Sequence, residues 1–480
     1  MHPQKMNSNQ KRVIICLILY SDIVFGAEFN TAANGRMAQS KPPSSLNVST
    51  EALATKFNET SRPITTAENR KSQEEEEAKS EGFHNFFQGG SIGGYLRTYY
   101  FTRDYANPVR PDQAAFSAGG AFNVLSGGFL KFFRAGATAY TAQPLDLNNR
   151  NPLKVDNTLP GYSITVPGQS FLEFNHKKLF VKGGNILVDT PWINPSDNRM
   201  IPSIYSGAFS TYQLTDSIIL TGLRLFRFKS HVKSNFNRNT LYNPTEIGGM
   251  GLPKLAGVKS NGALAFGLQQ SGLKSEASVW YYQFYDYATM FYGHAKAVIP
   301  LEKPGLQWIL RAQALTESAT GANFIQQATK KRVGSTAYGA LIGLNFSSLT
   351  LSIAGNFIPL QSNHYRGGDL ITPYTAGYAT DPLFTTSMIG GLVEKAAGKA
   401  VKAALLFRGL DERLLIQGSF AKYFTQPVFV NTRETDLDIT YWTRSDHIGF
   451  VIRNRFGVQQ GATLTGRFIY NRVMLSYLFS

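Results

Sequence analysis

One cysteine, Cys16, is all the thiol chemistry that this 480-residue chain carries. It lies inside an N-terminal stretch with the pattern of an export leader, so the mature chain is expected to have no disulfide and no thiolate metal site. Long apolar runs are as scarce. Past the N-terminus nothing approaches the about 20 consecutive apolar residues that a bilayer-spanning helix needs. Mean hydropathy is slightly negative. Acidic residues are outnumbered, 32 against 48 basic, for a formal charge of +16. Lys5, Lys11, Arg12 and Asp22 leave with the leader and carry +2 between them, so +14 remains. Such an excess points to nucleic acid, an anionic surface, or anions crossing a pore. The histidines past the leader (84, 176, 231, 294, 364 and 447) are scattered without metal-ligand spacing, so no metal is expected.

What the chain has in quantity is glycine, aromatic residues and alternation. Residues 1–27 read as a signal peptide: Lys11 and Arg12 give the positive end, 13–20 the apolar core, and Val24 to Ala27 small residues for cleavage. Residues 28–88 are rich in Ser, Thr, Asn, Ala and Lys and read as a polar, disordered periplasmic arm. The acidic run Glu74 to Glu77 reads as a solvated helix face. From residue 89 to 480 the pattern is that of one domain built of strands.

Eighteen strand candidates follow from period-two alternation bounded by turn residues. They lie near 91–103, 113–125, 130–141, 169–176, 178–187, 206–214, 217–228, 262–269, 275–285, 290–299, 306–315, 335–346, 349–358, 400–409, 413–424, 434–442, 448–456 and 471–479. Connections after odd-numbered strands include the long ones, such as 188–205, 229–261 and 359–399. Those after even-numbered strands are tight, such as Thr215-Asp216 and Ser347-Ser348. That parity is the mark of an all-β, up-and-down antiparallel transmembrane barrel with long extracellular loops and short periplasmic turns. A soluble sandwich has no reason to keep it over so many strands. Roughly 22 residues per strand and connection fits a porin-sized barrel.

The faces of several strands sort cleanly. In 448–456, Ile448, Phe450, Ile452 and Phe456 oppose Gly449, Val451, Arg453 and Arg455. In 306–315, Trp308, Leu310 and Ala312 oppose Gln307, Arg311 and Gln313. In 400–409, Ala403, Leu405 and Phe407 oppose Lys402 and Arg408. In 434–442, Leu437, Ile439 and Tyr441 oppose Glu434, Asp436, Asp438 and Thr440. In a membrane barrel the charged faces line water and the oily faces meet lipid. Strand 217–228 leaves Arg224 and Arg227 on opposite faces. Aromatic clusters near strand ends (Tyr99, Tyr100, Phe101; Tyr281, Tyr282, Tyr285; Tyr441, Trp442) fit interfacial girdles.

Certain residues also resemble a known family. Leu96-Arg97-Thr98-Tyr99-Tyr100-Phe101-Thr102-Arg103-Asp104 resembles the opening strand of the OprD family of outer-membrane porins. Asp197 to Pro202, with Tyr205 and Gly207, resembles that family's third-loop segment. Arg366-Gly367-Gly368-Asp369 resembles part of its seventh loop, and Arg453-x-Arg455 and Arg472 to Tyr477 match near the end. The likeness covers about residues 90–480. It departs at Leu370, where the family often has a small polar residue, and at the terminus, which is Phe479-Ser480. The resemblance implies a monomeric or loosely trimeric eighteen-stranded channel for small, usually carboxylate-bearing solutes. It implies a basic track with Arg103, Arg453 and Arg455, and a constriction with Arg199 and Asp369. Arg311 and Arg408 join the track from the alternation of their own strands. The implied partners are outer-membrane lipid and lipopolysaccharide, the barrel-assembly machinery, a homotrimer, and small anionic or zwitterionic solutes. No nucleic acid is expected, because a nucleic-acid binder clusters its basic residues and these spread over alternate strand positions.

A guanidinium track replaces the hydration of an entering carboxylate with charge-assisted hydrogen bonds. Weak repeated sites let the anion move on. Glu434, Asp436 and Asp438 on the neighbouring strand admit two readings: a transverse field for zwitterions, or local ion pairing that neutralises pore-facing charge. The second is favoured. No catalysis and no cofactor are expected. Gly89-Gly90-Ser91-Ile92-Gly93 fits a nucleophile-elbow pattern, but lacks the strand before it and the helix after it. The alternative to a channel is a barrel with a plugged lumen and a structural, adhesive or hydrolytic role.

Overall fold

Alternation of side chains across a pleat makes each of these segments two-faced, and a two-faced strand must bury or solvate each face separately. In the computed structural model, residues 86–480 are described, except 88, 107–109, 157, 160, 247–253, 427–429, 445–448 and 462–466. The expected leader, most of the polar arm and Ile448 lie outside the described residues.

Eighteen strands run in chain order: β1 Ser91–Asp104, β2 Gln113–Leu125, β3 Phe133–Gln143, β4 Ile164–His176, β5 Leu179–Ile186, β6 Ile204–Thr215, β7 Ile218–Lys229, β8 Ala263–Ser271 and β9 Ser275–Phe284. β10 Ala288–Pro300, β11 Leu306–Ala319, β12 Gly334–Phe346, β13 Leu349–Ile358, β14 Ala397–Gly409, β15 Leu414–Gln426, β16 Val430–Trp442, β17 Gly449–Gln460 and β18 Arg467–Phe479 complete the set. Each strand pairs antiparallel with its sequence neighbours, and β1 pairs with β18, from Gly94 opposite Phe479 to Asp104 opposite Ile469. The sheet is therefore a closed barrel, and closure leaves no strand edge unpaired. One short helix, α1 (Phe324–Thr329), sits in the connection between β11 and β12. Among the described residues no helix is long and apolar enough to cross a membrane, which says nothing against crossing by strands.

Two glycines show how tightly β1 and β2 coil. Gly94 and Gly120 have φ of 153° and 157°, and a Cβ there would lie 2.1 and 2.0 Å from the carbonyl oxygens of Ala121 and Tyr95. Only glycine fits. Elsewhere an aromatic ring takes the place that a glycine leaves open: Trp280 covers Gly267, its direct cross-strand partner.

The two faces separate as the alternation requires. Leu310, Ile342, Ile353, Val401, Leu405, Phe420, Leu437, Phe450, Ile452 and Phe456 are exposed on the outside. A continuous apolar belt of this size costs free energy in water and none in hydrocarbon. Inside, the lumen is not uniformly wet. Trp280, Tyr282 and Phe284 of β9 and Met290 and Tyr292 of β10 point inward. They form one buried cluster with Trp192, Ile193, Leu241, Tyr242, Leu370, Ile371, Tyr374, Tyr378 and Leu383 from the connections 187–203, 230–262 and 359–396. These long connections fold into the barrel. Leu241 N donates to Pro373 O at 2.9 Å, and Asn194 Nδ2 donates to Thr380 O at 2.9 Å, so the three connections are joined. The aromatics expected as girdles thus divide. Tyr99, Phe101 and Tyr282 are buried inside the barrel, because their positions have inward parity. Arg224 resolves the ambiguous strand: it faces outward between Leu223 and Leu225, which are buried inside, and its guanidinium stacks over Phe226 and Tyr285 at 4.5 and 4.6 Å.

Candidate pore constriction

A second buried cluster joins Tyr99 and Phe101 of β1 and Tyr470 and Met474 of β18 to Leu159, Met200 and Ile201 of the connections. Charge is interleaved with it on the wall from β16 to β1. Arg97, Tyr99, Phe101 and Arg103 share the inward face of β1. On β18 Arg472 is directly opposite Phe101, and on β17 Arg455 is directly opposite Arg472. Register alone therefore stacks cations side by side.

Phe101 is the platform. Its ring is fully buried, and three guanidinium carbons lie over it: Arg103 at 4.9 Å, Arg472 at 5.1 Å and Arg199 at 5.2 Å. Each such contact is worth about 0.5–2 kcal/mol when desolvated. That holds three like charges together where Coulomb repulsion alone would spread them.

Carboxylates compensate only part of the charge. Arg103 Nε pairs with Asp156 Oδ2 at 2.5 Å. Arg97 grips Asp197 at 3.0 Å and donates to the carbonyl of Arg199 at 2.6 Å, which ties the 187–203 connection to the wall. Asp438 takes both track arginines: Arg453 donates through Nε at 2.9 Å and Nη2 at 2.5 Å, and Arg455 Nε lies 3.1 Å away. Among the described residues, Arg199 and Arg472 have no carboxylate within ion-pair distance. Arg199 donates to Thr158 Oγ1 at 2.9 Å and to Asn198; Arg472 Nη1 donates to Asn198 O at 3.3 Å. Six arginines thus face three aspartates.

Glu434 and Asp436 take another position. Ile389 N donates to Glu434 Oε1 at 2.6 Å and Met388 N donates to Asp436 Oδ2 at 3.2 Å. They fasten the 359–396 connection to β16, as Lys402 Nζ does from β14 through Thr386 O at 2.5 Å. A cleft with about 240 Å³ of open space remains, lined by Tyr99, Asp197, Asn198, Arg453, Arg455, Arg472 and Met474. A second, about 430 Å³, continues between Asn194 to Asn198 and Tyr378 to Thr380.

Of the residues marked in the sequence, the structure brings Arg103, Arg199, Arg453, Arg455 and Asp438 together here, with Glu434 and Asp436 beside them. Arg311 lies across the lumen on β11, where Nε donates to His294 Nε2 at 3.2 Å. Arg408 shares the inward face of β14 but stands at its turn end, next to residues 410–413. Asp369 does not line the cleft. Its side chain is wholly buried beside Arg366, 3.6 Å away, under the connection that packs on β11 and β12. Sequence reasoning missed Phe101 as a shared platform and Arg97 as a clamp. Both were within reach, because Arg97, Phe101 and Arg103 alternate on one face.

The inserted connections carry shifted groups. Burial pushes the His231 imidazole down to about 3, assisted by the nearby Arg199. The ring is therefore neutral; it donates from Nδ1 to Ile201 O at 2.8 Å and packs on Tyr378 at 4.5 Å. Burial lifts Asp369 to about 6, against the pull of Arg366 and of backbone N–H groups. It lifts Asp381 to about 6 as well, against the Thr386 hydroxyl. Glu394 is raised by burial and by Asp369.

A closed eighteen-stranded antiparallel barrel, narrowed from within by its own long connections, defines the architecture of a porin-type barrel. That fold is shared with the Occ/Opd porins of the OprD family from Pseudomonas and Acinetobacter. OccK9 (OpdG) of Pseudomonas aeruginosa superposes with a TM-score of 0.67 at 16% identity, over 82% of this chain and 100% of that one. The outer membrane protein OpdK of the same species gives 0.66 at 15% identity, over 82% and 99%. A BenF-like porin of Pseudomonas fluorescens Pf-5 gives 0.63 at 13% identity, over 82% and 99%. At these identities the likeness is one of fold. No protein-family model matches the sequence, and no curated protein does.

Proposed function

We propose that this chain is an outer-membrane channel that passes small water-soluble solutes, carboxylate-bearing ones preferred, along the β16 to β1 wall. The observation that carries the reading is the cleft lined by Arg453, Arg455 and Arg472, with only Asp438 and Asp197 among the lining and paired carboxylates to balance them. A carboxylate there exchanges water for guanidinium donors that are already oriented. Arg472 lines the cleft without a carboxylate of its own and is the donor that a passing anion meets with least competition. The porin names of the barrels that share this fold support conduction and an outer-membrane location.

One observation favours a second reading, a sealed barrel. The cleft arginines are only 3–7% exposed, and the apolar clusters fill part of the lumen. Single-channel current across a planar bilayer under a salt gradient decides between the two. The channel reading expects discrete steps and an anion-leaning reversal potential, moved toward zero by Arg453→Ala with Arg455→Ala. A folded barrel without current sinks it in favour of the sealed one.

A further inference from the structure

The outward face of the barrel holds a charged row that the channel reading does not use. At the end of the strands nearest the long connections, β9 to β12 present neutral residues outward: Gln283, Thr289, Ser318 and Thr336. Over β14 to β18 the same level is basic. Lys422 is the direct partner of Arg433, Arg433 of Gln460, and Gln460 of Arg467, so one cross-strand row carries three cations. Lys399 stands two residues beyond Val401, which pairs with Lys422. All four cations are exposed, and they share the outer face with Val401, Phe420, Leu437 and Tyr477 of the apolar belt. At about 4.8 Å between strands, the row from Lys422 to Arg467 spans roughly 14 Å.

Like charges directly opposite each other on a sheet destabilise it. Here the carboxylates that would relieve them are nearly absent. Among the described residues the row's one ion pair is Arg467 with Asp104, at 3.8 Å. The row also marks where the apolar belt ends: Phe424, on the outer face, lies under Lys399 and Lys422 at 5.9 and 5.0 Å. Aromatic rings at that depth sit at the headgroup level of a bilayer.

We infer that the outer wall of β14 to β18 binds the phosphorylated headgroup of an anionic lipid, in the leaflet on the side of the long connections. Arg433 and Arg467 present forks that match phosphate oxygens in pairs, Lys422 and Lys399 add point charges, and the belt below takes the acyl chains. The inference rests on the membrane-barrel part of the proposed function and not on conduction.

The test uses the full chain folded in detergent micelles, with lipid binding read by native mass spectrometry. The probes are lipid A, its dephosphorylated form, and inorganic phosphate. Lipid A is expected to bind, and Lys422→Gln/Arg433→Gln/Arg467→Gln to weaken it about tenfold or more. The dephosphorylated lipid is expected to bind the unaltered chain about tenfold more weakly, and inorganic phosphate not to displace lipid A. Equal binding by the triple variant, equal binding of the dephosphorylated lipid, or displacement by phosphate alone overturns the site. If the triple variant does not fold, Arg433→Gln alone decides, with about threefold weakening expected against none. Single-channel current is recorded on the same preparations. Lost lipid binding with unchanged current counts as failure of neither reading, whereas lipid binding without current leaves this site standing and removes only conduction.

Discussion

At the residue scale, the arginines of the β16 to β1 wall differ in what their removal leaves behind. Arg472 has cation–π contacts with Phe101 and Tyr470, at 5.1 and 4.0 Å, and no carboxylate of its own. Arg472→Gln takes away one positive charge without orphaning a negative one. Its expected effect is a reversal potential shifted toward zero, with the two lost cation–π contacts partly offset by relieved repulsion from Arg455 and Arg199, so that barrel stability changes by about 1–2 kcal/mol. Asp438→Asn is the contrasting case. Asp438 is the single carboxylate shared by Arg453 and Arg455, and both pairs are more than nine-tenths buried. Its loss leaves two buried like charges unopposed, a cost of about 3–5 kcal/mol. Urea unfolding from vesicles should register that loss, while anion preference in the surviving fraction should rise. Equal stability effects for the two variants would mean that the pairing around Asp438 carries no weight.

At the element scale, the connection 359–396 fills part of the lumen, with Leu370, Ile371, Tyr374 and Leu383 in the buried cluster. On β14 to β16 it is held by Glu434 and Asp436 through the backbone of Ile389 and Met388, by Lys402 through Thr386 O, and by Tyr423 Oη through Thr385 O at 2.8 Å; Glu317, Ser335 and Asn356 hold it on β11 to β13. Glu434→Gln with Asp436→Asn replaces two carboxyl acceptors by amides, worth about 1–2 kcal/mol together. Larger current noise and a higher mean conductance are expected; an unaltered trace would show that the connection is fixed elsewhere. The pH dependence has a definite sign. Asp369 and Asp381 have carboxyls raised to about 6 in the seated connection, from an ordinary value near 4. Their contribution to seating is fully present below about pH 4 and is lost as pH rises through about 6. His231 acts in the opposite sense from the neighbouring connection: with its imidazole held down to about 3, its contribution is present above about 6.5 and lost as pH falls. Hydrogen exchange separates the two. Amides near 369–372 and 383–386 should open roughly tenfold less at pH 5 than at pH 7 after correction for intrinsic rate. Asp369→Asn with Asp381→Asn should abolish the difference.

At the scale of the whole molecule, the barrel is defined by what each face meets. Ile353 is 63% exposed on the outer face of β13, in the middle of the apolar belt. Ile353→Arg should cost about 2–4 kcal/mol when folding is followed in a bilayer. An inward charge such as Lys402, on the adjacent strand, finds an acceptor inside the barrel instead: its Nζ donates to Thr386 O. A bilayer folding free energy unchanged by Ile353→Arg would remove the belt from contact with lipid.

Alternation along the chain determined the number of strands, their order, and which side of each meets oil. Strand pairing in an up-and-down barrel is local, and a face with period two reports its surroundings directly. That is why Arg453 with Arg455, and Glu434 with Asp436 and Asp438, were legible as inward residues. Strand ends were less so. β4 begins at Ile164 rather than near 169, because an irregularity in pairing opposite Thr138 and Ala139 admits Pro167-Gly168 into a strand. Only the tertiary structure decided what fills the barrel. Long connections have no period to betray where they go, and their apolar residues (Trp192, Tyr242, Leu370, Tyr374) are spaced irregularly. It likewise decided that Asp369 lies buried away from the cleft and that three arginines from β1, β18 and an inserted connection share one phenyl ring. Such contacts join residues up to hundreds of positions apart, and closure of the β1–β18 seam is what brings them within reach.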